Sequence, residues 1–217
     1  CNKFCKFCSF YAKKGGPAPY EYDMPEVQRR LDWHRDIPIT EVHMVGGINP
    51  RLPYSYYMDL VRTVKESRPG VHVKAFTAVE IEHLSQIARL SVRQTVKELK
   101  AAGLGSLPGG GAEVFSPKIR EQLCPEKLSG EGWLQVMREA HALGLRSNAT
   151  MLYGHVETPE DRINHLMKLR ELQDDAGGFL AFIPLAFHPK NTELSNDQMQ
   201  SNRVEVSSEI LLNFLRI

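Results

Sequence analysis

The sequence lacks a long hydrophobic run, an excess of charge of either sign and a large number of cysteines, and each absence excludes a class of protein. No apolar stretch approaches the roughly 20 residues that a membrane-spanning helix needs. The 27 lysine and arginine residues nearly balance the 26 aspartate and glutamate residues, so the net charge of +1 creates no field that would attract nucleic acid or an anionic membrane. We therefore expect neither a nucleic-acid partner nor membrane association.

Cysteine is scarce and unevenly placed. Four cysteines are poor material for a disulfide framework in a chain of 217 residues, and three of them fall within the first eight positions. This concentration favours a metal site in a reducing compartment, so the expected location is cytoplasmic. Because no natural chain begins with cysteine, we expect residues 1–217 to be a single core domain that lacks both native termini.

Short β-rich segments alternate with helical segments along the chain. Strands are predicted over 39–45, 71–76, 104–107, 147–153 and 179–187. Helices are predicted over 26–35, 54–67, 79–89 and 92–102, and from Ser129 and Thr158 onwards. Strand–helix alternation predicts a parallel sheet, so we expect an α/β fold whose strands close partly into a (β/α) barrel.

The unusual residues of the sequence cluster where predicted strands end. Glycine, aromatic and histidine residues occupy 46–49, 76–77, 109–113, 153–155 and 187–188. In (β/α) barrels the chemistry takes place at the C-terminal ends of the strands. The placement therefore predicts one shared active face.

The first eight residues, C-N-K-F-C-K-F-C, form a C-x3-C-x2-C loop. The soft thiolates of Cys1, Cys5 and Cys8 suit an iron–sulfur cluster. A four-iron cubane held by three cysteines leaves one iron without a protein ligand. A small molecule can chelate that iron through an amine and a carboxylate.

A zinc-binding structural module is the alternative from another class. Structural zinc takes four ligands, and the fourth cysteine, Cys124, is far away in the sequence. His34 and His43 remain possible fourth ligands. We expect Cys124 to be a buried or half-buried thiol rather than a ligand.

The cysteine loop resembles the signature of the radical S-adenosylmethionine superfamily, including an aromatic residue, Phe7, before the last cysteine. The resemblance implies a TIM-barrel-like partial barrel, a [4Fe-4S] cluster on the three cysteines and S-adenosylmethionine as its chelating partner. It also implies that the backbone at Gly46 and Gly47 receives the methionine amino group. This sequence has G-G-I-N there, without the common acidic third residue.

Three further residues are candidates for binding S-adenosylmethionine. Glu113, in L-P-G-G-G-A-E, suits the ribose hydroxyls or is a surface residue that caps the next segment. Lys127 suits the methionine carboxylate or is an exposed lysine. Tyr153 opens a segment that resembles the superfamily's G-x-x-E element, whose backbone packs against adenine; its Glu157 alternatively serves the next helix N-terminus.

Longer blocks resemble the aminofutalosine synthase family of the futalosine route to menaquinone. They are H-M-V-G-G-I-N-P, K-A-F-T-A-V-E-I, L-G-S-L-P-G-G-G-A-E, L-R-S-N-A-T-M-L-Y-G-H-V-E-T and F-I-P-L-A-F-H-P, and the resemblance covers residues 1–189. It implies a transferase that adds the 5′-deoxyadenosyl radical to 3-[(1-carboxyvinyl)oxy]benzoate. Rearrangement and decarboxylation then give 6-amino-6-deoxyfutalosine, with S-adenosylmethionine consumed as a substrate and an electron donor such as flavodoxin or ferredoxin. Two blocks also resemble dehypoxanthine futalosine cyclase, which uses the radical to abstract hydrogen.

The implied substrate has two carboxylates, so cationic or hydrogen-bond-donating groups should face the barrel mouth. The candidates are Arg146, Asn148, His43, His188 and His155. Strand alternation places Arg146 and Asn148 on one face without deciding which face is inside. Each histidine has an ordinary structural alternative. Thr77 and Glu80 either line the pocket or form an N-cap pair that opens the next helix.

Overall fold

The computed structural model describes residues 1–11, 19–33 and 35–194, and within them the chain folds into five strands and seven helices. The strands are β1 (Glu41–Met44), β2 (His72–Ala75), β3 (Ser106–Leu107), β4 (Arg146–Tyr153) and β5 (Phe179–Ala186). The helices are α1 (Met24–Trp33), α2 (Tyr54–Ser67), α3 (Ala78–Ala88), α4 (Val92–Ala102), α5 (Pro117–Leu123), α6 (Gly130–Ala142) and α7 (Pro159–Ala176).

The five strands form one parallel sheet in the order β1-β2-β3-β4-β5. Each helical crossover thus adds the next strand beside the last, which is the connectivity of a (β/α) barrel. The prediction of a parallel α/β sheet, forming a partial barrel, is confirmed.

The two faces of the sheet differ in character. Val73, Ala75, Leu107 and Ala149 are buried among helix side chains in the main hydrophobic core. Since side chains alternate along a strand, their neighbours in sequence point to the opposite face. We call that opposite face the uncovered face, because the helices of the described residues pack on the other one.

Local sequence signals set the helix starts. The Thr77 side chain accepts the backbone N–H of Glu80, whose carboxylate accepts the Thr77 N–H in return. Thr158 and Asp161 repeat this capping box at α7, with Pro159 in the first turn. Such N-caps contribute about 1 kcal/mol each. The predicted Thr158 cap is confirmed.

Helix α5 is absent from the sequence prediction. It has seven residues, and its N-cap Ser116 makes no side-chain capping bond. Hydrophobic periodicity needs a window of about 11 residues or more, so a helix this short leaves little signal. The longest helix, α7, has 18 residues. Neither it nor any other helix in the described ranges is apolar and long enough to cross a membrane.

Candidate active site

The cysteine loop docks against the glycine-rich end of β1. The Asn2 N–H donates to the carbonyl of Ile48 at 3.0 Å. A Cβ atom on Gly47 would collide with the Cβ of Cys1, so only glycine permits this approach. The start of the cysteine loop therefore contacts the segment at Gly47 and Ile48 directly, a contact that the sequence did not predict.

Glu80 holds the glycine end of β1 from the other side. Its carboxylate accepts the Gly46 N–H at 3.0 Å as well as the N–H and hydroxyl of Thr77. Burial raises the pKa of Glu80 despite these three hydrogen bonds. The capping interpretation of Thr77 and Glu80 is confirmed, and Glu80 has the additional role of positioning Gly46.

The second side of the cysteine loop rests on the C-terminal end of α5. The Lys6 N–H donates to the carbonyl of Leu123 at 2.9 Å. The Cys5 and Cys124 side chains are both buried and hydrogen bonded to each other, and this bond, followed by burial, raises the pKa of Cys5. The expectation that Cys124 is a buried thiol is confirmed; its contact with Cys5 was not predicted.

Backbone amides also donate hydrogen bonds within the cysteine loop. The Phe10 N–H donates to the sulfur of Cys8 at 3.4 Å, and the Cys8 N–H donates to the carbonyl of Cys5 at 2.9 Å. Hydrogen bonds to ligand sulfurs are one means by which proteins tune iron–sulfur clusters. The donor set of three free thiols on one loop, with an amide aimed at one sulfur, fits such a cluster.

A single metal ion fits this arrangement less well. Zinc requires its ligands to converge at about 2.3 Å around one point. In the described parts of the chain, no three His, Cys, Asp or Glu side chains converge in this way. A cubane instead binds each thiolate through a different iron, so its ligands stand apart. Of the alternative zinc ligands, His43 lies on β1 and His34 lies outside the described residues.

Glu113 and Lys127 form a buried ion pair beside the cysteine loop. The Lys127 Nζ lies 2.6 Å from Glu113 Oε1 and 5.4 Å from the centroid of the Phe7 ring. Burial disfavours the charged form of Glu113, but the charge and hydrogen bond of Lys127 outweigh it and lower the pKa of Glu113. Burial likewise opposes the charge of Lys127, and Glu113 reverses the effect and raises the pKa of Lys127.

The structure thus brings together three of the predicted cofactor-binding residues: Phe7, Glu113 and Lys127. The interpretation of Lys127 as an exposed lysine is wrong, because its side chain is only 15% exposed. The turn after α5 positions this lysine, since its N–H donates to the carbonyl of Cys124 at 3.0 Å. The unpredicted helix α5 therefore organises both Cys124 and Lys127.

The glycine run before Glu113 is packed too closely for any other residue type. A Cβ on Gly109 would lie 2.8 Å from the carbonyl oxygen of Asn148. Glu113 itself has a left-handed backbone with φ of 50°, a conformation that costs about 1 kcal/mol or more. The buried Arg120 of α5 secures the segment by donating to the carbonyls of Ala112, at 2.7 Å, and Leu128.

Tyr153 ends β4 and is followed by a buried charge network. The Glu157 carboxylate accepts the N–H groups of Gly154 and His155 and lies 2.6 Å from the Arg162 guanidinium. Glu157 therefore orders its own loop and also ties it to the first turns of α7 through Arg162. The His155 ring is hydrogen bonded to the carbonyl of Leu152 at 3.0 Å, and burial lowers the pKa of His155, so this histidine is structural.

The four predicted catalytic residues divide into two groups. His43, Arg146 and Asn148 all lie on the uncovered face of the sheet, which answers the question that alternation left open. His43 and Arg146 belong to one row across the strands, through Lys74 and Ser106. His188 follows β5, is exposed and accepts the Lys190 N–H at 3.3 Å; the structure does not bring it into this row.

Comparison with known proteins agrees with this geometry. Residues 1–169 match the Radical SAM superfamily. An aminodeoxyfutalosine synthase of Thermus thermophilus is 48% identical over 91% of this chain and 53% of the relative. A 5-amino-6-(D-ribitylamino)uracil–L-tyrosine 4-hydroxyphenyl transferase of Methanopyrus kandleri is 38% identical over 89% of this chain and 53% of that protein.

The fold has close structural counterparts as well. Methylornithine synthase superposes with a TM-score of 0.75 at 18% identity, covering 100% of this chain and 58% of that one. The chain spans about half the length of the curated relatives that it matches. Because the superfamily match covers most of its residues, this chain belongs to the radical SAM superfamily.

Proposed function

We propose that this chain is the S-adenosylmethionine-cleaving core of an aminodeoxyfutalosine synthase, a transferase of menaquinone biosynthesis. The observation that supports radical chemistry is the docking of the three-cysteine loop on Gly47 and Ile48, beside the Glu113–Lys127 pair. The 48% identity to the Thermus thermophilus synthase supports this branch of the superfamily.

Cys1, Cys5 and Cys8 would hold a [4Fe-4S] cluster whose fourth iron is open to S-adenosylmethionine. When bound, the cluster supplies the electron that cleaves S-adenosylmethionine to the 5′-deoxyadenosyl radical, which adds to 3-[(1-carboxyvinyl)oxy]benzoate on the way to 6-amino-6-deoxyfutalosine. The Phe10 amide on Cys8 stabilises charge on one of the three sulfurs.

The residues around the cysteine loop bind and orient S-adenosylmethionine. The backbone at Gly46 and Gly47 would receive the methionine amino group, since glycine has no side chain to block its own carbonyl oxygen. Lys127 pairs with the methionine carboxylate. The lowered pKa of Glu113 keeps its carboxylate ionised near neutral pH, which suits an acceptor for two ribose hydroxyls. Tyr153 and its loop pack against adenine.

The test is a product assay with the full-length protein, reconstituted anaerobically with iron and sulfide. After reconstitution we expect a brown protein with about four irons per chain. Incubation with S-adenosylmethionine, dithionite and 3-[(1-carboxyvinyl)oxy]benzoate should then give 6-amino-6-deoxyfutalosine, which mass spectrometry detects. A colourless zinc protein without turnover would contradict the proposal.

Two parallel incubations separate the related activities. Dehypoxanthine futalosine tests the sister cyclase. Tyrosine with 5-amino-6-(D-ribitylamino)uracil tests the reaction named for the Methanopyrus kandleri relative. Product from either, and none from the enolpyruvyl benzoate, would reassign the enzyme within the superfamily.

We also propose a cytoplasmic location and a flavodoxin or ferredoxin as the electron donor. All four cysteines are free thiols, which suits a reducing compartment. Replacing dithionite with reduced flavodoxin should support turnover, and failure with both flavodoxin and ferredoxin would contradict this part of the proposal.

A further inference from the structure

A row of polar residues crosses four strands of the sheet. The strand register pairs His43 with Lys74, Lys74 with Ser106, and Ser106 with Arg146. Paired residues of neighbouring parallel strands point to the same face. Because Val73 and Leu107 lie in the helix-covered core, the row faces the uncovered side. We call these four residues the polar row.

The polar row is unusual for a parallel sheet. Such sheets are normally covered on both faces, and their strands are rich in apolar residues. Here Ser106 is buried and its hydroxyl is hydrogen bonded to the His72 ring at 2.7 Å, so polar groups line the floor of this face. A face of this kind is suited to a polar ligand rather than to apolar packing.

The charges of the polar row favour an anion. The Lys74 ammonium lies 2.8 Å from the Glu41 carboxylate, and the lysine side chain is only 16% exposed. Arg146 is exposed, and the ion pairs within the described residues assign it no carboxylate partner. Among the described residues, Lys74 and Arg146 therefore share a single acidic partner, Glu41, which leaves one positive charge of the polar row without a carboxylate.

We infer that Lys74 and Arg146 are the two anchors of a dicarboxylate-binding site on the uncovered face. This inference rests on the proposed function, since it assigns the two carboxylates of the enolpyruvyl benzoate. Glu41 orients the Lys74 ammonium, and Arg146 supplies a planar guanidinium that can bind a carboxylate through two hydrogen bonds. Lys74 has no role in the sequence prediction.

The spacing suits a ligand of this size. Two strand separations of about 4.8 Å place the Cα atoms of Lys74 and Arg146 about 10 Å apart. Lys74 is the last residue but one of β2, so it lies about 3 Å from the end of that strand. A small aromatic dicarboxylate with one carboxylate on each of these two residues would lie across β3, which separates β2 from β4.

The test measures ligand binding by the reconstituted full-length protein in the presence of S-adenosylmethionine. Isothermal titration calorimetry compares the saturated dicarboxylate 3-(1-carboxyethoxy)benzoate with the monocarboxylate 3-ethoxybenzoate. Lys74→Gln and Arg146→Gln should each weaken dicarboxylate binding by about 10- to 100-fold, the cost of a charge-assisted hydrogen bond. The monocarboxylate keeps the benzoate carboxylate, so one of the two variants should weaken both ligands, and the other should lose most of the preference for the dicarboxylate.

Matched variants separate a local effect from a folding defect. Arg93→Gln removes a cation that pairs with Glu139 on the helical side, at 2.9 Å, and should leave both affinities unchanged. Lys74→Arg keeps the charge and should retain most of the dicarboxylate affinity. Affinity for S-adenosylmethionine should be the same in all variants. This result would show that the cofactor end, which we define as the cysteine loop with Gly47, Glu113 and Lys127, is intact.

The outcomes also separate this inference from the proposed function. Wild-type-like dicarboxylate binding by both glutamine variants, or equal losses for the two ligands in both variants, would overturn it, as would a wild-type protein that binds no dicarboxylate. If wild type binds the dicarboxylate through Lys74 and Arg146 yet forms no adduct, the carboxylate site stands and the synthase assignment fails.

Discussion

The cofactor end and the polar row hold their charges in different ways. At the cofactor end, Glu113 and Lys127 are paired beneath the surface, and burial is offset by their mutual attraction. In the polar row, Arg146 is exposed, and Lys74 forms an ion pair with the partly exposed Glu41. The first arrangement is preorganised and costly to disturb; the second leaves cations free to meet a ligand. Substitutions should therefore reduce stability as well as cofactor binding at the first site, and ligand binding without a loss of stability at the second.

The largest expected effect is at Cys5. Cys5→Ala removes a buried thiolate from the proposed cluster, so the iron content should fall and 5′-deoxyadenosine formation should be lost. Iron analysis and chromatography of the cleavage product measure both. Cys124→Ser, which keeps a hydrogen-bond donor beside Cys5, is the control and should retain iron. Cleavage of S-adenosylmethionine by the Cys5 variant would disprove the cluster assignment.

The second-largest expected effect is a loss of stability on substitution of Lys127. Lys127→Met leaves the buried Glu113 carboxylate without its cation, which should lower the free energy of unfolding by about 3 kcal/mol. Urea denaturation monitored by circular dichroism measures the loss. Lys127→Arg keeps the charge and should recover part of it. A methionine variant as stable as wild type would show that the pair is not preorganised.

The difference in the free energy of unfolding between wild type and Lys127→Met should depend on pH in a defined direction. Glu113 has a folded pKa below its ordinary value of 4.5, so its stabilisation is complete above pH 4.5 and is lost as pH falls through the lowered pKa. Lys127 has a folded pKa above 10.5, so its stabilisation is complete below pH 10.5 and is lost as pH rises through the raised pKa. The stability gap between wild type and Lys127→Met should shrink as pH rises through the raised pKa of Lys127, and it should also shrink on the acid side as Glu113 becomes protonated, first in the variant, where burial raises its pKa unopposed by Lys127.

A glycine substitution tests the packing of the cofactor end. Gly109→Ala would place a methyl group 2.8 Å from the Asn148 carbonyl oxygen, so we expect a loss of about 1–3 kcal/mol. Gly70→Ala is the matched control, because a Cβ there meets no atom within 4 Å and should be neutral or slightly stabilising. Equal effects in thermal unfolding would mean that the glycine run is not closely packed.

The smallest effect belongs to the polar row. Arg146→Gln should change the free energy of unfolding by less than about 0.5 kcal/mol, because the side chain is exposed and its removal leaves no buried charge. The same urea titration measures it. A large destabilisation would place Arg146 with the buried charges of the cofactor end and remove the contrast between the two regions.

Local signals made the fold largely predictable. The bounds of α2 and α4 agree with their predicted ranges, and Gly103 ends α4 in a left-handed conformation as expected. These helix bounds depend on interactions between residues a few positions apart, so both partners of each interaction can be recognised in one short stretch of sequence. Helix α5 was missed because seven residues are too few to establish a helical period.

The candidate site was predictable only in part. The three cysteines and the two glycines were identified as candidates because they lie in short motifs, but the contact between Cys1 and Gly47 was not predicted. The contact between Cys5 and Cys124 was not predictable, since a hydrogen bond between distant residues leaves no periodic or spacing signal. His155 shows the reverse error: a histidine at a strand end was a candidate for chemistry, and its buried bond to Leu152 makes it structural.

The sequence by itself determined the strand–helix order, the helix caps and the thiol-rich loop, because each depends on neighbours within about one helical turn or on one short motif. Tertiary structure alone decided which face of the sheet carries Arg146 and which acid accompanies Lys127. The alternation of a strand is symmetric until helices pack on one side, and a charge can be buried only where the folded chain provides its partner.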